Sequence, residues 1–225
     1  ISFVDIALIG VILISAILAF MRGFVHEVLS IAAWIGAAVV TYFAFPYASP
    51  FVREQIDTLF ADVRIDAAKI GMVGQAPVIR EVADRIAHWQ PPHVVLDPVM
   101  IAKSGDALLE KAAVGAMLDA LLPCATVLTP NLPEAGVLLG ERAPENLKEM
   151  RRAAERLRER MTHAGARWVV LKGGHLSHGD AIDLVTDGDR MIALALPRAA
   201  AKNAHGTGCT LSAAIDALLP DDLGA

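Results

Sequence analysis

The sequence predicts an α/β protein, a mainly parallel sheet covered by helices and preceded by a hydrophobic helical hairpin. Three observations lead there. Beyond residue 50, short apolar runs alternate with amphipathic stretches of helical period, as in repeated βα units. Polar and glycine-bearing motifs recur just past the apolar runs, where parallel sheets gather their ligands. Charge is unevenly divided: residues 1–50 hold one basic residue, Arg22, and two acidic ones, Asp5 and Glu27, out of 20 basic and 25 acidic in the chain.

Residues 1–21 carry a single charge, Asp5, and residues 28–46 carry none. Each run approaches the roughly 20 apolar residues that cross a bilayer. Residues 21–27, which include Arg22, Gly23, His26 and Glu27, form a polar break between them and predict a turn joining two membrane helices. Trp34, Tyr42, Phe43, Phe45 and Tyr47 give a partial aromatic belt. Pro46, Ser49 and Pro50 end the run and place a domain boundary at 47–52, with a hairpin over 1–49 and a second domain over 50–225.

Past that boundary, 51–61 has helical apolar spacing. Residues 66–72 read as a buried strand. A helix over 77–89 puts Val78, Val82, Ile86 and Trp89 on one face. A strand at 93–97, a helix at 108–122 and a short strand at 126–129 follow. The helix over 145–163 has Leu147, Met150, Ala154, Leu157 and Met161 as its apolar stripe, and its arginines and glutamates form a solvated face of i,i+4 pairs. A strand at 168–171 precedes two more, 181–186 and 191–196, which flank the hairpin signal Asp187-Gly188-Asp189. The apolar run Leu211 to Leu219 reads as the last helix.

A net charge of -5 argues against a nucleic-acid binder, which normally carries a basic patch. Two cysteines, Cys124 and Cys209, make no disulfide framework and fit a reducing cytoplasm.

The chemistry concentrates in four places. Gly206 and Gly208 let the backbone turn tightly before a helix, while Thr207, Cys209, Thr210 and Ser212 put small polar groups at its start. Backbone N–H groups at such a terminus form an anion site, with phosphate the common guest. The other three places are Asp97-Pro98-Val99-Met100, Thr129-Pro130-Asn131-Leu132-Pro133-Glu134 and Lys172-Gly173-Gly174-His175. Asp97 also fits a plain turn, and Asn131 with Glu134 also fits a capping box. Taken jointly, the four point to phosphoryl transfer, which needs positioning and charge neutralisation. Asp97, Asn131 and Glu134 are candidates to hold Mg²⁺, Lys172 to neutralise phosphate, and Cys209 to act as general base toward an acceptor hydroxyl. No GxxxxGK[ST] pattern occurs, which excludes a P-loop kinase.

The stretches "DAAKIGMVG", "VVLDPVMIAKSGDALL", "LLPCATVLTPNLPEAGVLLG", "WVVLKGGH" and "NAHGTGCTLSAAI" resemble, in order, the hydroxymethylpyrimidine/phosphomethylpyrimidine kinases of the ribokinase-like superfamily. The resemblance covers about residues 51–219. It implies a ribokinase-like three-layer sandwich, ATP and Mg²⁺ as cofactors, and a small pyrimidine substrate of thiamine biosynthesis phosphorylated first on its hydroxyl and then as its monophosphate. A homodimer also fits it. Carried over, Cys209 is the base and residues 206–208 the anion hole. Lys172 and Gly173 face the nucleotide phosphates together with Thr207 and Gly208. Asn131 and Glu134 lie near Mg-ATP, and Met72 and Val99 line the pyrimidine pocket. The family's glycine-rich "GSDPSGGAG" stretch is not in this sequence, which implies an incomplete sheet, and Ala204 stands where the family has Thr. Residues 1–50 resemble instead the amino-terminal membrane hairpin of the colicin V production protein family, on the Asp near the start, the Arg-Gly-Phe turn before Glu27, and Trp34. A cytoplasmic kinase part anchored to a bacterial inner membrane is one expectation. A membrane protein with a kinase-like passenger, or a chimera joined near residue 50, are the alternatives.

Overall fold

The computed structural model describes residues 3–44, 48–101, 108–174, 176, 181–197 and 207–222. The chain divides into two compact units, Ile1–Ala48 and Ser49–Ala225.

In the first unit, α1 (Phe3–Ala44) is a single helix of 42 residues. The expected hairpin does not form: the polar break at residues 21–27 is helical throughout. The physical reason is that polar side chains leave the backbone ladder intact. The break holds no proline, and a glycine inside a helix costs only about 1 kcal/mol relative to alanine. Ser30 Oγ donates to the His26 carbonyl at 2.8 Å, a bond back along the same helix. Within α1, Gly23–Thr41 spans 19 residues of mean hydropathy 1.7 with none of it buried, long and apolar enough to cross a membrane. The side chains of residues 3–7, 15–19, 21, 22, 42 and 44 of this helix lie outside the described residues.

The second unit opens with α2 (Ala48–Asp62), docked against α3 (Ala76–Trp89). The Trp89 indole N–H donates to Asp57 Oδ1 at 2.7 Å, Arg85 pairs with the same carboxylate at 3.2 Å, and the Phe60 ring stacks on Trp89 with centroids 5.7 Å apart. Six strands form one sheet in chain order: β1 (Ala67–Ile70), β2 (His93–Leu96), β3 (Val127–Leu128), β4 (Trp168–Leu171), β5 (Ala181–Thr186) and β6 (Met191–Leu196). The first four are parallel, in a register that aligns Ile70 with Leu96, Leu96 with Leu128, and Leu128 with Val169. The last two are antiparallel, so the sheet is mixed. The turn between them places Gly188 at φ 98, a left-handed conformation that a side chain disfavours.

Alternation along the strands builds two cores. Val94, Leu96, Leu128, Val169 and Leu171 face the larger one, shared with α3, α4 (Lys111–Ala116), α5 (Leu132–Leu139) and α6 (Leu147–Arg160). Helix α4 continues as a π-helical turn, Met117–Leu121, and a 3₁₀ turn, Leu122–Cys124. Val95, Val127 and Val170 face the other way, where Leu211, Ile215 and Leu219 of α7 (Thr207–Asp222) pack on them. Helices thus cover both faces, and the three-layer α/β arrangement expected from the sequence is present. Helix α6 keeps Met150, Ala154 and Leu157 fully buried while Arg156 pairs outward with Glu141 at 2.6 Å.

Candidate active site

Parallel strands β1 to β4 bring their carboxyl ends to one edge of the sheet, and the residues named from the sequence fall there in order. Past β1 comes Met72, exposed; past β2 come Asp97 and the half-buried Val99. Past β3 come Thr129, Asn131 and Glu134, and past β4 come Lys172 and Gly173. The β3–β4 ladder continues into the site: Asn131 and Lys172 form a further parallel bridge, and the Lys172 N–H donates to the Pro130 carbonyl at 2.9 Å.

Asp97 is the centre of the cluster. It is 1% exposed, a burial a carboxylate sustains only when paired and hydrogen-bonded. Its Oδ1 accepts from Lys172 Nζ at 3.0 Å and from Thr129 Oγ1 at 3.2 Å. Its Oδ2 accepts from Ser212 Oγ at 3.1 Å. Three donors, from the ends of β4 and β3 and from α7, therefore converge on one carboxylate.

Asn131 and Glu134 make a reciprocal capping box at the start of α5. Asn131 Oδ1 accepts the Glu134 N–H at 2.8 Å, and Glu134 Oε2 accepts the Asn131 N–H at 2.8 Å. Glu134 is buried, and burial pushes its carboxyl above the usual glutamate range. The Asn131 N–H and the nearby Lys172 ammonium oppose that shift, and the Asp97 charge adds to it. Among the described residues no group of three His, Cys, Asp or Glu side chains stands together as a metal cage. The site offers two carboxylates, Asp97 and Glu134, both already held by protein donors.

The first turn of α7 closes the site. Its Gly208 lies against the Lys172 side chain, so that a Cβ added there would stand 3.0 Å from Nζ. Cys209 follows and is exposed. Thr207 opens the helix, whereas Gly206, Ala204 and His175 fall outside the described residues. Gly173 is fixed by its surroundings: its N–H donates to Asp183 Oδ1 at 2.8 Å, and a Cβ there would land on the Ile182 carbonyl. Thr129 and Ser212 had not been assigned any role toward Asp97. Ser212 carried a readable signal, a hydroxyl on the Leu211–Ile215–Leu219 side of a helix, fully buried. The Asp183 contact had none, because its partner is a backbone N–H.

The arrangement gathers a cation, two carboxylates, a helix N-terminus and an exposed thiol at one sheet edge. Comparison with known proteins gives this edge a context. The sequence profile of the family described as phosphomethylpyrimidine kinase matches residues 29–223, and so takes in residues 29–50 that the apolar resemblance had claimed. A hydroxymethylpyrimidine/phosphomethylpyrimidine kinase of Rhizobium meliloti is 45% identical over 166 residues, 74% of this chain and 60% of that protein. The Escherichia coli protein of the same name is 43% identical over 170 residues, 76% of this chain and 62% of its own. This chain thus spans about three fifths of the length of the curated relatives it matches. Among solved structures, phosphomethylpyrimidine kinase from Clostridium difficile 630 superposes with a TM-score of 0.67 at 33% identity, covering 79% of this chain and 69% of that one. The ADP complex of Bacillus subtilis pyridoxal kinase superposes with a TM-score of 0.66 at 34% identity, covering 77% and 62%.

Proposed function

The chain belongs to the phosphomethylpyrimidine kinase family, and on that premise we propose that it transfers the terminal phosphoryl group of ATP to the hydroxyl of hydroxymethylpyrimidine and then to the resulting monophosphate, in thiamine biosynthesis. The observation that carries the reading is the place of Lys172. Its ammonium stands between the Asp97 carboxylate and Gly208 in the first turn of α7. A cation there neutralises phosphate oxygens, and the N–H groups of Thr207 and Gly208 add the positive end of the helix to the same spot. Cys209, exposed one residue on, takes the proton from the acceptor hydroxyl as general base. Met72 and Val99 line the pyrimidine side.

Mg²⁺ fits this donor set through water. Asp97 and Glu134 are held by protein donors, and Mg²⁺ keeps several waters and takes its other oxygens from phosphates. When bound, the ion neutralises charge on the transferring phosphoryl group. Asn131 holds Glu134 in place for this task.

The test is a phosphorylation assay on the full chain with hydroxymethylpyrimidine, ATP and Mg²⁺, following ADP release and the two phosphorylated products by mass spectrometry. Pyridoxal is run beside it, because a pyridoxal kinase is among the similar structures. Production of both pyrimidine phosphates supports the reading. ATP binding without product overturns it.

For the first unit the proposal is that Gly23–Thr41 sits as a single span in a bacterial inner membrane, with the second unit on the cytoplasmic side. The exposed apolar side chains Leu29, Ile31, Trp34, Ile35 and Val40 support it. Flotation of the full chain with phospholipid vesicles is expected, and its loss in the Ile31→Lys, Ile35→Lys double variant. A chain that stays in the aqueous fraction rules the anchor out.

A further inference from the structure

Ser212 sits in the anion-site stretch, yet its hydroxyl is fully buried at the Asp97 carboxylate. Its Oγ lies 3.1 Å from Asp97 Oδ2 and 3.1 Å from the carbonyl oxygen of Cys209. A hydroxyl has one proton to donate. With two acceptors in reach, the charged carboxylate is the stronger claimant. The bond joins residues 115 apart in sequence. The bond to the Cys209 carbonyl is a local i to i−3 contact that many helical serines make. Only the Asp97 bond requires this fold.

Three facts give the bond its consequence. Ser212 lies one turn beyond Cys209 in α7. Asp97 also holds Lys172 through its other oxygen. Lys172 in turn lies against Gly208. The first turn of α7 is therefore fixed to the same carboxylate that fixes the site's ammonium. The rest of α7 is held on the sheet by Leu211, Ile215 and Leu219, an apolar contact without the directionality of a hydrogen bond.

We propose that Ser212 is a positioning residue, which sets the axial and rotational register of the first turn of α7 and so places the Cys209 thiol and the Gly208 N–H relative to the Asp97–Lys172 pair. This rests on the phosphoryl-transfer reading for its effect on turnover, but its effect on the thiol does not. Without the hydroxyl, Asp97 Oδ2 loses the donor that Ser212 supplies from α7. The first turn then moves against the ion pair, and a shift of that kind in a positioned group lowers turnover far more than binding.

The experiment compares the full chain with Ser212→Ala and Ser212→Thr. The first readout is the rate of Cys209 alkylation by iodoacetamide across pH 6 to 10, mapped by peptide mass spectrometry so that half-buried Cys124 is separated from it. The second is the split between kcat and the KM for ATP. The expected result for Ser212→Ala is a displaced pH profile of Cys209 alkylation, with kcat lower by about tenfold and the KM for ATP near the parent value. Ser212→Thr, which keeps the hydroxyl, moves back toward the parent in both. A Cys209 profile that coincides with the parent in a folded Ser212→Ala protein overturns the proposal, as does an equal loss of affinity and turnover. If the parent chain lacks kinase activity, the kinase reading falls while the alkylation profile still decides the role of Ser212.

Discussion

Cys209 stands exposed in the first turn of α7, at the positive end of the helix. In the proposed role of general base it contributes to the chemical step and not to holding the nucleotide. Cys209→Ala is expected to lower turnover by about 100-fold or more, with ATP affinity by calorimetry near that of the parent. Equal loss of both would remove the base assignment. Glu134 offers a test of a different kind. Its carboxyl prefers the proton in the fold, because burial outweighs the Asn131 N–H and Lys172. Any stability it contributes is full below the ordinary value of 4.5 and is lost as pH rises through the raised folded value. Glu134→Gln keeps the capping geometry without the charge, since glutamine also serves at this position. The melting temperature of Glu134→Gln is therefore expected to gain on the parent as pH rises from 4 to 8; a constant difference would refute it. At this scale the sequence exposed residue types well. Asp97, Asn131, Glu134 and Lys172 were all legible as strand-end polar groups. What it did not expose was who holds whom. Thr129 and Ser212 reach Asp97 across 32 and 115 residues, and spacing along a chain carries no such distance.

Local chemistry decides some elements outright. Helix α5 starts where it does because Asn131 and Glu134 satisfy each other's backbone N–H groups, and Pro133 needs none. Asn131→Ala should cost about 1 kcal/mol, read as a fall of about 2–4 °C in melting temperature. The same substitution at Asn146, which caps α6 through Glu149 at 3.0 Å, serves as a parallel case away from the site. The apolar stripe of α6 was readable for the same reason: a period of 3.6 writes one face directly. Helix α1 shows where local reading fails. Residues 21–27 are polar enough to suggest a turn, but turns are made by backbone breakers and not by polarity alone. Gly23 by itself does not supply one, and the helix runs through. The alternation of strand and helix signals from β1 to β4 was sounder, because β2, β3 and β4 are short runs rich in valine and leucine, bounded by Pro, Gly or polar residues.

At the scale of the whole second unit, protection should follow the sheet. Strands β2, β3 and β4 have neighbours on both sides and side chains buried on both faces, while β1 and β6 end the sheet among the described residues. In β6, Ile192 and Leu194 are about half exposed, at 52% and 51%. Native-state hydrogen exchange is expected to be slowest at Val94–Leu96, Val127–Leu128 and Val169–Leu171 and fastest in β6. Faster exchange in β2 than in β6 would contradict this sheet order. The parallel half of the sheet was predictable from βα alternation, and the antiparallel end from Asp187-Gly188-Asp189. The strand order was not, since apolar runs name strands without naming neighbours.

The Asp97 carboxylate also bears on how the chain reaches this state. Its donors lie 32, 75 and 115 residues downstream. A chain emerging from a ribosome amino end first exposes β2 long before β4 and α7 exist. Until they arrive, dehydrating Asp97 would strand a charge without its counterion, so β2 cannot close its end of the sheet early. Assembly there waits for α7. The second unit is thus expected to gain its final cooperativity only when residues near 212 have left the tunnel, with the Asp97 edge the last part of the sheet to set.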